Sequence, residues 1–463
     1  MSVQSKTVWN RALIDKYNYS GPRYTSYPTA LQFTDQLDLK KLVSNSNNTD
    51  GAVRPVSLYV HIPFCSHVCY YCACNKIITK RRDRAAPYLE KLYREIELRA
   101  QSAGSNHIIE QLHWGGGTPT FINEDEIHGL MTQLRAHFNL METDQGEYSI
   151  EIDPRECSRQ KLNLLRYEGF NRISIGVQDI NPEVQKAVNR VQSIEMIQAL
   201  VEHARHLQFK SVNMDLIYGL PLQTPKSYTK TIERVIELGP DRLSIFNYAH
   251  LPQRFRPQLR INEADLPSPE QKLEILENSI DQLTEAGYIY IGMDHFAKPD
   301  DELALAQKQG QLHRNFQGYT THKNCDMLAL GVSSISQMGD TVFQNSTDLK
   351  IYMGLIEQDQ LPVVRGLQIT EDDRIRGGVI MQLICHFKLD IKAMSQRLKI
   401  DFEDYFNREL ERLQEMAEDG LITIDGDQIE VTPTGRLLIR SICMVFDAYI
   451  PKDTKTKSFS RII

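Results

Sequence analysis

From residue 57 onward the chain repeats a single order: a short run rich in β-branched residues, then an amphipathic stretch with helical period. The runs are SLYVHI (57–62), IEQLHW (109–114), YSIEI (148–152), RISIGV (172–177), SVNMDLIYG (211–219), RLSIFNY (242–248) and YIYIGM (288–293). Helical patterns over 87–100, 124–138, 158–166, 193–207, 226–238 and 269–286 fill the gaps. Alternation at this spacing predicts parallel βαβ units rather than a sandwich. Six or so units in one series favour a full or partial (β/α) barrel, although periodicity alone does not separate a barrel from an open sheet. Either way, functional residues gather at the carboxyl ends of the strands.

The flanks read differently. Residues 1–50 contain SGPRYTSYPTA, rich in turn formers and tyrosines without a period, and are expected to form an arm that packs on another part of the protein. Residues 51–360 hold the barrel, and 361–463 form a mainly helical C-terminal domain. There LITI and QIEV flank Asp425-Gly426-Asp427, a hairpin signal that gives the region a winged-helix-like pattern. A length of 463 residues matches about three domain equivalents. Lys plus Arg number 53 against 60 Asp plus Glu, a net charge of −7. That balance, with no basic helix beside the hairpin, argues against a nucleic-acid partner. No apolar run reaches the roughly 18 residues that span a bilayer, and the N-terminus lacks a signal-peptide pattern. A cytoplasmic protein is expected. No heptad run calls for assembly, so the expectation is a monomer.

Eight cysteines are few for this length, yet Cys65, Cys69, Cys72 and Cys74 fall within ten residues, directly after the first run. Cys157, Cys325, Cys385 and Cys443 are scattered singly and read as small apolar residues. The C-x3-C-x2-C spacing of Cys65, Cys69 and Cys72 lets one loop turn three thiolates to a common centre. A structural zinc site needs four closed ligands, usually as two separated pairs, and the chain has no second pair. Three thiolates on a [4Fe–4S] cube leave one iron open to a small molecule, which makes the cluster a reaction centre. Cys74 is expected to stay unligated. Gly115-Gly116-Gly117 comes after the second run and lets backbone approach a ligand closely; without G-K-[ST] or GxGxxG it does not signal phosphate. Glu151, Gln178, Asp215 and Ala249 lie at or just beyond successive strand ends, where side chains converge on a barrel mouth.

C-x3-C-x2-C after the first strand of a βα series is the signature of the radical S-adenosylmethionine (SAM) superfamily. The longer string HIPFC-x3-C-x2-CAC, with WGGGTPT, SIEIDPRE, FNRISIGVQD, DLIYGLP, FNYAHLP, HRNFQGYTT and the N-terminal GPRYTSYPTA, resembles the oxygen-independent coproporphyrinogen III oxidase family over nearly the whole chain. The resemblance implies a partial (β/α)6-type radical SAM barrel and a [4Fe–4S] cluster on Cys65, Cys69 and Cys72. It also implies two SAM molecules: the first, cluster-bound, at Tyr59, Gly116, Glu151, Ala249 and Ile335; the second at Tyr71, Gly117, Thr118, Gln178, Arg190 and Asp215. Tyr71 departs mildly from the family, where Phe is common. The implied reaction is loss of two propionate carboxyl groups from coproporphyrinogen III, initiated by a 5′-deoxyadenosyl radical, to give the vinyl groups of protoporphyrinogen IX. A low-potential donor of flavodoxin or ferredoxin type would supply electrons. The alternative is a radical-SAM-like haem chaperone, which usually carries an aromatic residue where Cys74 stands. A DNA-binding sensor built on the C-terminal hairpin is the second rival, and the net charge speaks against it. In the oxidase reading, Arg23 and Tyr24 of the arm close over the substrate.

Overall fold

A computed structural model describes residues 7–46, 54–103 and 107–450. Contacts divide the chain into two compact units, each assembled from separated stretches. One comprises Phe33–Lys272 and Asn324–Gln368; the other comprises Met1–Gln32, Leu273–Lys323 and Ile369–Ile463. Residues up to 32 thus group with the C-terminal stretch, and the remainder of the expected arm with the strand–helix series.

The first unit holds the alternating series as parallel strands β1 (Arg54–Ile62), β2 (His107–Gly116), β3 (Glu147–Ile152), β4 (Arg172–Gln178), β5 (Ser211–Tyr218) and β6 (Arg242–Asn247). It continues with β7 (Asp326–Leu330), β8 (Ile335–Met338), β9 (Thr341–Asn345) and β10 (Val363–Gln368). Their order in the sheet is 6-5-4-3-2-1-7-8-9-10. The second neighbour of β1 is therefore β7, parallel to it, and not β6. The barrel is partial. β8 to β10 extend that side as an antiparallel meander, which the βα pattern did not announce.

The central strands β3 to β5 alternate along most of their length, whereas β1, β2 and β6 have consecutive buried residues. In β3 Tyr148, Ile150 and Ile152 are buried while Glu147, Ser149 and Glu151 are not; in β4 Ile173, Ile175 and Val177 repeat the pattern. Parallel strands covered on both faces are usually apolar throughout. A polar second face here means that one side packs on helices and the other lines a space that admits polar groups. The helices Ala85–Ala103, Glu124–His137, Arg159–Tyr167, Ile194–His206 and Pro225–Leu238 succeed the strands in turn. Their starts are written in the sequence. Asn123 and Thr224 each close a capping box, and Ser158 and Ser193 cap with their hydroxyls.

A buried carboxylate ties the first of these helices to the meander. Glu95, fully buried, accepts hydrogen bonds from Gly331 N (2.8 Å), Asn345 Nδ2 (2.6 Å) and the Tyr352 hydroxyl (2.6 Å), with Arg99 Nε 3.9 Å away. Removing one member of such a set strands the others without water. Glu95→Ala is expected to cost about 3–5 kcal/mol, read as a clearly lower thermal midpoint, whereas Glu90→Ala on the exposed face of the same helix changes little.

In the second unit the run at 288–293 is a strand, Ile289–Gly292, but it turns back on His295–Ala297 as an antiparallel hairpin. The C-terminal stretch has helices Glu371–His386, Ile391–Leu398, Phe402–Tyr405 and Asn407–Glu418. The expected hairpin, Ile422–Asp425 with Gln428–Val431, gains Lys388–Asp390 as a third strand. Gly426 takes φ +55 at the turn, a conformation the Asp-Gly pair anticipates. Cys385 and Cys443 lie fully buried in this core, as small apolar residues do, while Cys157 and Cys325 are half-buried. The N-terminal residues are fixed within the same unit. The Tyr24 hydroxyl donates to Asp447 (2.8 Å), Arg23 pairs with Asp294, and Arg440 donates to the carbonyls of Gly21 and Pro22. Tyr24 is 1% exposed, so its hydroxyl is spent on structure rather than offered to a substrate.

Candidate active site

The cysteine loop leaves β1 at Ile62 and is closed at its base by backbone. Phe64–Cys65 pairs in parallel with Ile77–Ile78, with Ile77 N donating to Pro63 O (2.7 Å) and Thr79 N to Cys65 O (2.9 Å). Its tip is held by Tyr70 N to Val188 O (3.0 Å) and Asn189 Nδ2 to Val68 O (2.8 Å). Cys65 and Cys69 are buried, Cys72 half-buried and Cys74 exposed. Burial pushes the Cys65 thiol up to about 12, although the Thr118 hydroxyl, 3.5 Å from its sulfur, opposes the shift. Cys72 is pulled down to about 6 by a hydrogen bond from the Cys74 thiol, against burial and with help from the Lys76 ammonium.

The glycine edge lies against this loop. Gly117 N donates to Ile62 O and Thr118 N to Phe64 O, both at 2.8 Å. A Cβ on Gly116, which has φ +115, would stand 2.6 Å from the His61 imidazole; one on Gly117 would stand 2.7 Å from the Pro63 carbonyl. His61 Nε2 lies 3.1 Å from the Asn75 carbonyl and so carries the proton, leaving Nδ1 to accept from the Tyr59 hydroxyl at 3.1 Å. Burial lowers the His61 pKa, consistent with that neutral ring. Tyr59 in turn stacks on His113, with centroids 5.8 Å apart.

Polar residues of β3 to β5 form the facing wall. Glu151 accepts from Gly116 N (3.2 Å) and lies 3.5 Å from His113 Nε2. Burial works against its ionisation, but these donors outweigh it and hold the carboxyl below the usual range. Register places Glu151 beside Ser174 and Gly176 beside Asp215. Ser174 Oγ and Asn213 Nδ2 donate to Asp215 at 2.6 and 2.9 Å. Burial nevertheless raises the Asp215 pKa, and the Glu151 charge adds to the rise. A bulge after Gly176 puts Gln178 at φ +66 and re-aims its side chain at the same space. Arg190 reaches in below, with Nη2 on Gly176 O (2.6 Å) and Nη1 on Asp153 (2.9 Å); its buried Nε has no partner.

One cavity of about 160 Å³ unites these groups. It is lined by Cys65, Cys69 and Cys72, and by Tyr71, Gly116, Gly117, Thr118, Glu151, Gln178, Arg190 and Asp215 of the residues singled out in the sequence. Tyr59, Ala249 and Ile335 are not on its wall. Tyr59 backs Gly115 from behind, Ala249 lies past the end of β6, and Ile335 opens β8. Asp153, Lys76 and Ser174 also line the cavity, and the sequence pattern did not single them out. Asp153 stands in the SIEIDPRE string just past a strand end, and that position is the signal that could have found it.

The donor set can be tested against a metal. A single tetrahedral zinc with sulfur at about 2.3 Å requires sulfurs only about 3.8 Å apart. The sulfurs of Cys65, Cys69 and Cys72 do not all come within 4.8 Å of one another. The triad as it stands is too wide for one tetrahedral ion, and the Arg190 Nε–H beside it, buried without a partner, suits an anionic group.

The profile of the Radical SAM superfamily matches residues 59–235, and that of the HemN C-terminal domain matches 369–438. The oxygen-independent coproporphyrinogen III oxidase of Pseudomonas aeruginosa is 55% identical, covering 98% of this chain and 99% of its own. That of Escherichia coli K12 is 52% identical over the full length of both. The chain belongs to the oxygen-independent coproporphyrinogen III oxidase family. It is accordingly a radical SAM enzyme. The crystal structure of the family's E. coli coproporphyrinogen III oxidase, HemN, superposes with a TM-score of 0.92 at 50% identity, covering 96% of this chain and all of the other. Family membership therefore spans the fold, the C-terminal unit included. Among the described residues no helix is long and apolar enough to cross a membrane.

Proposed function

We propose that this enzyme converts two propionate side chains of coproporphyrinogen III to vinyl groups without oxygen, giving protoporphyrinogen IX. The observation that carries the reading is the single cavity in which three thiols of one loop face a bare glycine edge and two strand-end carboxylates. Cys65, Cys69 and Cys72 would hold a [4Fe–4S] cluster. When bound, the cluster and SAM supply a 5′-deoxyadenosyl radical that takes a hydrogen atom from the propionate β-carbon, after which carbon dioxide and one electron depart.

The chain's own residues bind, orient and exclude water. Gly116, lacking a Cβ, lets backbone approach an amino-acid moiety, and ionised Glu151 accepts from ribose hydroxyls or an α-ammonium group. With Tyr59, Ala249 and Ile335 these form the first SAM site. Gly117, Thr118, Gln178 and Asp215 surround the second, with the Tyr71 ring as a stacking face and Arg190 Nε as the donor to a carboxylate. Tyr71 is positioned for this: Gln258 Nε2 holds its carbonyl at 3.0 Å, and it packs with Val184, Val188 and Leu220. A flavodoxin- or ferredoxin-type donor would feed the cluster of a cytoplasmic monomer, as the sequence suggests.

The test is anaerobic. Reconstituted protein should carry a [4Fe–4S] spectrum that changes on titration with SAM, and should release carbon dioxide from coproporphyrinogen III. Haem binding without decarboxylation would overturn the assignment.

A further inference from the structure

Asp153 and Arg155 are assigned to neither SAM site, although Asp153 holds Arg190, and both are arranged around a cysteine. Asp153 is buried, with 9% side-chain exposure. Its carboxylate accepts from Arg155 Nε (2.9 Å) and Nη2 (2.7 Å) and from Arg190 Nη1 (2.9 Å). Each guanidinium also directs an N–H to the Cys69 sulfur: Arg190 Nη1 at 3.6 Å and Arg155 Nη2 at 3.8 Å. Two positive charges against one negative leave a surplus of one, with Arg190 and Asp153 buried and Arg155 half-buried. Both guanidinium groups therefore present donors and net positive charge to the Cys69 sulfur, the side on which added negative charge is most favoured. The other cysteines are treated differently. Cys65 has the neutral Thr118 hydroxyl, and the cation beside Cys72 is the Lys76 ammonium, which also donates to the carbonyls of Cys72 and Cys74. Among the described residues it has no buried carboxylate partner set against it as Asp153 is set against the two arginines.

The geometry points to Asp153 and Arg155 as positioning residues that, through Cys69, set the reduction potential of the cluster. This inference rests on the assignment of a [4Fe–4S] cluster to Cys65, Cys69 and Cys72. Reduction adds one negative charge to the cluster. Donors and positive charge at a ligating sulfur stabilise the reduced form and raise the potential, as outer-shell partners of metal ligands generally do. The two residues carry opposite charges, so the inference makes a signed prediction. Asp153→Asn keeps the shape and an accepting oxygen but deletes the negative charge, and the potential rises. Arg155→Met keeps the stem but deletes the positive charge, and the potential falls. Each shift is expected to be on the order of tenfold in the reduction equilibrium, about 59 mV for one electron.

The experiment is an anaerobic dithionite titration of the reconstituted full chain, without SAM so that Arg190 stays as it is here, followed by the electron paramagnetic resonance of the reduced cluster. Iron and sulfide contents are matched between proteins. The expected order of potentials is Asp153→Asn above wild type above Arg155→Met, with Arg155→Lys between wild type and Arg155→Met. Both variants moving in the same direction, or both matching wild type, would overturn the inference while leaving the cluster assignment standing. Should either deletion variant fail to hold its cluster, Arg155→Lys decides, and a potential at or above wild type sinks the idea. Wild-type protein without a [4Fe–4S] cluster would instead remove the assignment beneath it.

Discussion

Alanine at Cys65, Cys69 or Cys72 is expected to give protein with almost no bound iron and no measurable coproporphyrinogen III turnover. Outer partners of a metal ligand typically cost 10–100-fold in affinity or activity when removed. A ligand itself costs more, because the cube keeps only two attachments. The loss should not be confused with misfolding. Ile77 N, Thr79 N and Tyr70 N hold the loop through backbone carbonyls that no cysteine substitution removes. The cluster-free variants should therefore melt close to cluster-free wild type, while iron analysis separates them from loaded wild type. Cys74→Ser is the control within the loop. Cys74 is exposed, and the substitution should retain iron. If Cys74→Ser loses iron as completely as Cys69→Ala, the three-ligand assignment is wrong.

The series of six strands was legible because each apolar run carries its own register. SLYVHI falls within Arg54–Ile62 and YSIEI within Glu147–Ile152. The cysteine loop was legible because Cys65, Cys69 and Cys72 lie within eight residues of sequence, so spacing alone fixes their neighbourhood. The meander β8 to β10 was not. SQMGDTVF has a Gly-Asp turn, but no sequence rule says that such a hairpin joins β1 through β7 rather than capping an end. YIYIGM has the pattern of one more strand of the series, and the chain reversal after it, at Met293 with φ +55, depends on tertiary context. The pairing of Asp153 with Arg190 was equally hidden. The two residues are 37 positions apart, and only the bulge after Gly176 and the turn at Asn189 bring the guanidinium back beneath β4. Short-range chemistry is written in the chain, whereas charge networks at the site are products of the fold.

Gly117→Ala is expected to weaken SAM binding by roughly ten- to a hundredfold and to lower the thermal midpoint, an effect far larger than that of Gly115→Ala. The reason is what each new methyl group meets. At Gly115 it would stand 2.9 Å from Glu151 Oε1, the far end of a side chain, where a shift of a few tenths of an ångström relieves the contact without releasing the bond from Gly116 N. At Gly116 it would stand 2.6 Å from His61, which cannot swing, because the imidazole is fixed between the Tyr59 hydroxyl and the Asn75 carbonyl; the φ of +115 adds strain. At Gly117 it would meet backbone at 2.7 and 2.8 Å, the carbonyls of Pro63 and Phe64. Backbone can yield only by moving the strand, and here Phe64 leads directly into Cys65. Relief must open the hydrogen bonds from Gly117 N to Ile62 O and from Thr118 N to Phe64 O, each worth about 1 kcal/mol net, on top of about 1–3 kcal/mol for overpacking. It must also shift the cysteine loop against the wall that carries Glu151 and Asp215. Loop and glycine edge thus act as one part, and SAM titration of the three alanine variants should rank their losses Gly117 above Gly116 above Gly115. Equal losses at all three positions would mean that the edge serves only as a turn, with no close packing between it and the cysteines.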